Sequence, residues 1–420
     1  MSSLQAVRGT RDLLPEVCRK FRHIEKVATE IVGLYGFEEI ETPVLEASAV
    51  FKRTLGDTSD IVTKQMYTFM DLGGDELVLR PEGTAGVARA FISEGMSQLT
   101  PLKLFYRGPM FRYERPQKGR YRQFYQMGCE ILGVEKPQAD LEIIALGHQI
   151  LKSLDLEGTI TLHLNTIGDP ESRAEFREKL VGYLNQHKSE LSVDSVERLE
   201  KNPLRILDSK DEGDRRILKE APVLSDCLND VSRDFFKQVT SGLEKLNIPY
   251  VIDPLLVRGL DYYCHTVFEF TTDALGSQNA VCSGGRYDSL ISDLGGPKTA
   301  GVGWGAGLDR LVLMLKTVPG KMKPVALIPL GADAELKAIE IAQSLRASGI
   351  ATELGYSGNT AKRMKRADGK GSTHAIIFGT DELAKDVVQF KTLATGEQRE
   401  IPLKDLISEI RRLKGNELGL

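Results

Sequence analysis

Residues 103–132, KLFYRGPMFRYERPQKGRYRQFYQMGCEIL, read as two β-strands joined by a long basic loop. Leu104, Phe105, Tyr106, Met110, Phe111 and Tyr113 form an aromatic, strand-favouring run before the loop, and Tyr121 to Leu132 form another after it. Side chains alternate faces along a strand, so Phe124, Gln126, Gly128 and Glu130 share one face. Two polar groups and a glycine there leave a hole with hydrogen-bonding walls, as a small-ligand pocket requires. Arg112 closes the first strand, and Arg115, Lys118, Arg120 and Arg122 crowd the loop. A guanidinium offers a fork of donors that suits phosphate. The stretch therefore predicts an anion held beside a pocket for a polar molecule. A solvated hairpin whose arginines only keep an edge soluble is the alternative that it leaves open by itself.

Outward from this hairpin, residues 75–92 (DELVLRPEGTAGVARAFI) predict strand, turn and helix. Glu82 and Thr84 fall at the helix start, where ligand contacts gather, or where they serve only as a first-turn charge and an N-cap. Val17, Phe21, Ile24, Val27, Ala28, Ile31 and Leu34 recur at helical spacing over 15–36, and Gly36 ends that helix. FEEIETPVLE, residues 37–46, reads as a short strand broken at Pro43, which belongs at an edge or a kink. Residues 136–154 predict another helix.

From about 170 to 245 charge rises and apolar residues fall at helical spacing (Phe176, Leu180, Leu184; Val231, Phe235, Val239, Leu243), which predicts a helical insertion. DPLLVRGLDYYCHTVFEF, residues 253–270, predicts a turn at Arg258-Gly259 and a strand over Thr266–Phe270. On extended backbone Tyr262 and Tyr263 face opposite ways, so both line one pocket only if the chain bends. Two glycine-rich pieces follow, CSGGRYDSL at 282–290 and GGPKTAGVGWGAGLDRLVLML at 295–315. The second reads as strand then helix, with Arg310 on the helix.

Beyond residue 322 the pattern becomes alternating β and α, which predicts a separate small α/β domain over 323–420. Its first helix, Ala332–Ser348, has Ile339, Ile341, Ala342 and Leu345 on one side. A middle helix carries Lys362, Arg363, Lys365 and Arg366, with Lys370 just beyond. A hairpin and a closing helix complete it.

The chain has 420 residues, too many for one ordinary core. Hydrophobic residues at 41% and charged residues at 27% describe a globular protein, and no apolar run has the length of a bilayer span. Five cysteines, an odd number without a CxxC pair, predict free thiols in a reducing cytoplasm. Six dispersed histidines predict no structural metal. A net charge of −4 leaves room for local basic patches that bind nucleic acid.

Taken together, these motifs resemble a class II aminoacyl-tRNA synthetase, most closely the bacterial-type histidyl-tRNA synthetases, over nearly the whole chain. GFEEIETPVLE resembles the dimer-interface motif around its proline, here Pro43. FRYERPQKGRYRQFYQ resembles the second class motif, with Arg112, and GAGLDRL the third, with Arg310. LVRGLDYY at 256–263, SGGRYD at 283–288 and LRPEGT at 79–84 point to histidine as the amino acid. Three departures stand out: Asp309 where the family usually has glutamate, Trp304 where a smaller aromatic is common, and Cys264-His265 just after the tyrosines. Regulatory relatives from histidine biosynthesis share the catalytic fold but typically lack RGLDYY and the C-terminal domain.

The resemblance implies an α/β (α+β) fold: an antiparallel-sheet catalytic domain over 1–322 with the helical insertion at 170–245, and an anticodon-binding α/β domain over 323–420. It implies activation of L-histidine with ATP and transfer to the 3′ end of tRNA(His), in a cytoplasmic homodimer with no membrane partner. Arg112 is assigned to the α-phosphate and Arg258 to its opposite side as the catalytic pair, Arg120 and Arg310 to the γ-phosphate end, and Phe124 to stacking on adenine. Mg²⁺ is expected to arrive with ATP, without a dedicated protein site. Glu130 is expected to accept from one imidazole N–H, and Tyr262 or Tyr263 to handle the other nitrogen. Glu82, Thr84 and Gln126 are assigned to the α-amino and carboxylate end. Arg115 and Gln117 are expected near the acceptor end of the tRNA, and Lys362, Arg363 and Arg366 near the anticodon stem.

Overall fold

In the computed structural model, which describes residues 4–56, 59, 61–257, 262–276, 279–317 and 320–418, the basic hairpin lies inside an eight-stranded sheet. The chain divides into two units, Met1–Pro319 and Gly320–Leu420. α1 (Pro15–Leu34) opens the first unit, with proline in the first turn, where no N–H is needed. Its stripe buries Phe21, Ile24, Ala28, Ile31 and Val32. Gly36 then turns the chain at a φ of 75°, a conformation natural to glycine.

β1 (Glu38–Glu39) joins the large sheet, and past Pro43 the chain crosses to a separate three-stranded sheet as β2 (Leu45–Ala47). The break expected at the proline is thus a change of sheet. α2 (Ser48–Leu55), β3 (Tyr67–Met70) and β4 (Glu76–Leu79) follow, and the small sheet has the antiparallel order β2-β4-β3. After a bend, α3 (Thr84–Ser93) leads to β5 (Leu102–Phe111) and β6 (Gln123–Leu132). These two pair from Leu102↔Leu132 to Phe111↔Gln123, which leaves 112–122 as the basic loop.

α4 (Pro137–Ser153) and β7 (Thr161–Thr166) precede the helical stretch of α5 (Pro170–Gln186), α6 (Val193–Lys201), α7 (Glu212–Leu218) and α8 (Asp230–Lys245). Asp214 at the start of this group's third helix accepts from the hydroxyls of Ser192, Ser195 and Ser209 at 2.6–2.7 Å, which ties α6 to α7. α8 behaves differently from the other three. Its Val239 and Leu243 pack in the core shared by α1, α4 and the large sheet, whereas Phe176, Leu180, Leu184, Leu199 and Ile217 join a second cluster with Tyr106, Tyr262, Tyr263 and Tyr287.

β8 (Val251–Ile252), β9 (Cys264–Thr271), β10 (Ala280–Arg286), α9 (Leu290–Asp293), β11 (Gly301–Gly307) and α10 (Leu308–Met314) complete the unit. The sheet order is β1-β5-β6-β11-β10-β9-β7-β8. It is antiparallel throughout except for the outermost pairs, β1 with β5 and β7 with β8. Glycines in β10 and β11 permit close approach: a Cβ at Gly303 would overlap the Glu130 carboxyl, and one at Gly284 would overlap the Gly303 carbonyl. The unusual Trp304 is 2% exposed and donates its indole N–H to the Ile143 carbonyl of α4 at 3.0 Å. Arg286 and Asp140 form a fully buried ion pair, and Arg286 also donates to the Val134 carbonyl at 2.9 Å.

The second unit runs β12 (Val325–Leu330), α11 (Ala332–Ala347), β13 (Thr352–Leu354), α12 (Thr360–Gly369), β14 (His374–Gly379), α13 (Thr380–Ala384), β15 (Val387–Thr392), β16 (Gln398–Pro402) and α14 (Leu406–Leu418). Its sheet, β13-β12-β14-β15-β16, is parallel among the first three strands and antiparallel beyond. Ile339 is 52% exposed, against expectation; the buried face of α11 is Ala334, Ala338, Ile341, Ala342 and Leu345. One helical step of 100° past Ala338 carries Ile339 off that face. No helix among the described residues is long and apolar enough to cross a membrane.

Candidate active site

One cavity of about 1070 Å³ opens on the face of β6 that carries Phe124 and Gln126. Glu82, Thr84, Arg112, Arg120, Phe124, Gln126, Tyr262, Tyr263 and Arg310 all line it. Arg258 lies outside the described residues; Val257 and Tyr262, on either side of the gap, both line the cavity.

Glu82 and Thr84 sit where β4 gives way to α3. The Glu82 carboxylate accepts from the backbone N–H groups of Thr84 at 2.6 Å and Ala85 at 2.8 Å, so it caps α3 in place of Thr84. Burial pushes its pKa up, and those two N–H groups oppose the shift. Thr84, freed from capping, donates its hydroxyl to Glu130 at 2.7 Å. Gln126 presents a buried Oε1 with no partner among the described residues, an acceptor open to a ligand's ammonium or N–H.

Glu130 departs from its expected position. It is fully buried and is not among the residues that line the cavity. One carboxyl oxygen takes the Thr84 hydroxyl and the other the Tyr287 hydroxyl. Burial raises its pKa to about 8, against the pull of those two hydroxyls. At neutral pH it is therefore mostly a protonated acid behind the wall, bonded to a residue that lines it. Glu130 has no surface open to the cavity, so direct contact with an imidazole N–H requires a neighbouring side chain to shift. Tyr106 seals the same floor between Gly83 and Gly128, where a Cβ on either glycine would collide with its ring.

Tyr262 and Tyr263 are 5% and 6% exposed and their ring centroids lie 4.6 Å apart. Both precede β9, on non-extended backbone at Tyr262, so adjacent residues line the same cavity. The bend that the sequence required is present.

The opposite end is cationic. Arg112 anchors its Nε on the Pro81 carbonyl at 2.8 Å and lies 5.4 Å from the Phe124 ring centroid. Burial lowers its pKa, and Glu114 and Glu82 oppose that shift; a guanidinium keeps its proton regardless. Arg120 pairs with Glu114 at 2.8 Å, and Arg310 donates to the Ala280 carbonyl. Arg115 and Gln117 are exposed on the loop and are not among the lining residues. Lys210, Arg215 and Lys219, from the helical stretch, line the cavity as well; nothing in the sequence pattern distinguished them from solvated charges.

A hard cation carried in on phosphate would meet carboxylate oxygens of Glu114 and Glu269 on this wall, which suits an ion held mainly by its nucleotide. Among the described residues no three His, Cys, Asp or Glu side chains cluster as a metal site.

In the second unit Lys362, Lys365, Arg366 and Lys370 are exposed on and just beyond α12. Arg363 is not. It is 9% exposed, pairs with Glu335 at 2.5 Å, and donates to the Gly358 and Pro329 carbonyls. Its expected contact with tRNA is corrected to a tie between α12, β12 and α11, because its donors are already committed inside the unit.

An antiparallel sheet of this order, with arginines from the loop after β5 and from α10 meeting at one cavity and a βαβ unit appended, defines the class II aminoacyl-tRNA synthetase fold. Comparison with known proteins narrows the class. The family profile described as histidyl-tRNA synthetase matches residues 9–311, and an anticodon-binding domain profile matches 324–413. A histidine–tRNA ligase of Rhodospirillum rubrum is 57% identical over 96% of this chain and 97% of its own length. One from Gluconacetobacter diazotrophicus is 49% identical over 99% of this chain and all of its own. The crystal structure of the apo S. aureus histidyl-tRNA synthetase superposes with a TM-score of 0.81 at 35% identity, covering 97% of this chain and 99% of that one. The chain belongs to the histidyl-tRNA synthetase family.

Proposed function

We propose that the chain is a histidine–tRNA ligase that uses this cavity for both half-reactions. The observation that carries the reading is the polarity of the cavity: guanidiniums of Arg112, Arg120 and Arg310 at one end, and tyrosines, with the acid Glu130 buried behind the wall, at the other. In the first step a histidine carboxylate oxygen attacks the α-phosphorus of ATP, the new O–P bond forms, and pyrophosphate leaves. Negative charge grows on the α-phosphate, and preorganised guanidiniums are suited to stabilising it. Arg112 takes that role together with Arg258, and Arg120 and Arg310 take the pyrophosphate end. Phe124 stacks on adenine. In the second step the terminal ribose hydroxyl of tRNA attacks the histidyl carbonyl and AMP leaves.

Glu82 and the open Gln126 acceptor receive the histidine ammonium, and Tyr262 or Tyr263 and Glu130, through an exchange of its hydroxyl partner, read the imidazole. A site built from hydrogen bonds rejects analogues that lack the partners by ~10⁴ or more, without an editing domain. Mg²⁺ accompanies ATP and adds charge neutralisation at the phosphates. The catalytic domain spans 1–322 and the anticodon-binding domain 323–420. Arg115 and Gln117 face the acceptor end, and Lys362 and Arg366 the anticodon stem. We further read the protein as a cytoplasmic homodimer. The exposed edge strand β1 and the exposed Leu45, Phe69 and Met70 of the small sheet support a partner copy.

The test is charging of a tRNA(His) transcript with labelled histidine, ATP and Mg²⁺. Histidine should appear on the tRNA, and Arg112→Ala should lower kcat by about 10²–10³. A chain that binds the transcript but never charges it would contradict the reading.

A further inference from the structure

The segment before α1 runs to the nucleotide end of the cavity. Gly9, at a φ of 89°, accepts at its carbonyl from the Arg122 N–H at 2.7 Å, and a Cβ there would strike the Arg122 stem. Two residues later Arg11 donates from Nη2 to Asp309 Oδ1 at 2.7 Å. Its guanidinium carbon lies 4.0 Å from the centroid of the Tyr121 ring. The other oxygen of Asp309 accepts the Tyr125 N–H at 2.8 Å, just where β11 ends and that N–H has passed its ladder. Asp309 and Tyr121 both line the cavity, as does Gly119 at the loop tip, where a Cβ would come within 3.4 Å of the Arg310 stem. One cation thus bridges the loop after β5 and the first turn of α10, the two elements that carry Arg120 and Arg310.

We propose that Arg11 is a positioning residue for the nucleotide: by holding Asp309 and Tyr121 together it fixes the loop and α10 so that Arg120 and Arg310 face the same phosphates. It touches neither ATP nor histidine. The proposal rests on the reading that this end of the cavity takes ATP. It also gives the Asp309 departure a physical sense. Aspartate is a methylene shorter than glutamate, and Arg11 reaches in from the N-terminal segment to meet it.

The experiment measures KM for ATP and for the amino acid in pyrophosphate exchange, for Arg11→Ala, Arg11→Lys, Asp309→Asn and the Arg11→Ala/Asp309→Asn double variant. Arg11→Ala should raise KM for ATP about tenfold, with KM for histidine changed by less than about twofold. Arg11→Lys should recover part of the loss, since an ammonium reaches Asp309 but stacks less well on Tyr121. The double variant should be no worse than the worse single variant, the mark of shared action. Additive losses, or an equal fall in kcat with both KM values unchanged, would overturn the proposal. If Arg11→Ala does not fold, the lysine and Asp309→Asn variants carry the same contrast. Exchange supported by a different amino acid would refute the functional reading and still leave the ATP effect measurable.

Discussion

Glu130 and Asp140 are both carboxyl groups with no exposed surface, yet they sit in opposite electrostatic settings. Asp140 faces Arg286, whose Nε lies 3.1 Å from Oδ2 and whose Nη2 approaches more closely still. Burial pushes Asp140 towards its neutral form while Arg286 opposes this. Burial likewise opposes the charge on Arg286, yet Asp140 and Asp288 lift its pKa further above its ordinary range. A guanidinium cannot release its proton, so the pair stays ionised and clamps β10 to α4. Glu130 is bonded to hydroxyls with no counter-ion beside it among the described residues, and burial, with the Glu82 charge adding to it, lifts its pKa to about 8. A charge answered by a counter-ion is structural and closed. A carboxyl answered by hydroxyls keeps its proton and can exchange one partner for an imidazole nitrogen. The same buried chemistry is thus scaffold in one place and, on the proposed reading, recognition in the other.

The largest effect expected from this contrast is on stability at the scaffold site. Arg286→Met strands the Asp140 charge and should lower the unfolding free energy by about 3–5 kcal/mol, with Asp140→Asn in the same chain restoring part of it. An unchanged Tm in urea-free melts would erase the distinction between the two acids. Next comes pH. Because the folded pKa of Glu130 is raised from 4.5 to about 8, its contribution is fully present below pH 4.5 and is lost as pH rises towards 8. Glu130→Gln should flatten that decline by a few kcal/mol, on the order set by the linkage relation. A difference between the two proteins that grows in the other direction would mean that Glu130 is ionised when folded.

Recognition should respond on a smaller scale. Glu130→Ala removes the acceptor behind Thr84 and Tyr287, and KM for histidine should rise about 30- to 100-fold, equivalent to ~2–3 kcal/mol, while KM for ATP holds. Equal losses for both substrates would place Glu130 with the scaffold. The smallest effect concerns α12, where the same contrast recurs between buried Arg363 and its exposed neighbours. Reversing Lys362 and Arg366 to glutamate should weaken tRNA binding about tenfold at fixed salt and spare adenylate formation. Arg363→Met should instead lower the melting temperature.

Backbone-scale features were legible in the residues. The hairpin at 103–132, the stop at Gly36, the kink at Pro43 and the alternating β and α of the second unit all follow from periodicity and from glycine and proline, which act locally. The cavity face of β6 was legible for the same reason, since strand alternation alone puts Phe124 and Gln126 together. What sequence could not carry was depth and partnership. Tyr287, one residue past β10, reaches Glu130 across β11, and Arg286 at the end of that strand reaches Asp140; neither link leaves a local trace. The run of cations on α12 hides Arg363 because burial depends on Glu335 and Pro329 from other elements. Leu34 and Ile339 were expected inside and are 79% and 52% exposed, since helical spacing gives a face but not its width. Capping by Glu82 in place of Thr84 became visible only with the turn formed.

The central claim is that one cavity joins a phosphate-binding end to an end that admits only an imidazole. ATP–pyrophosphate exchange, run separately with each proteinogenic amino acid at saturating ATP and Mg²⁺, tests it most directly. The account predicts exchange with histidine alone. Exchange of comparable rate with any other amino acid, or none with histidine, would contradict it.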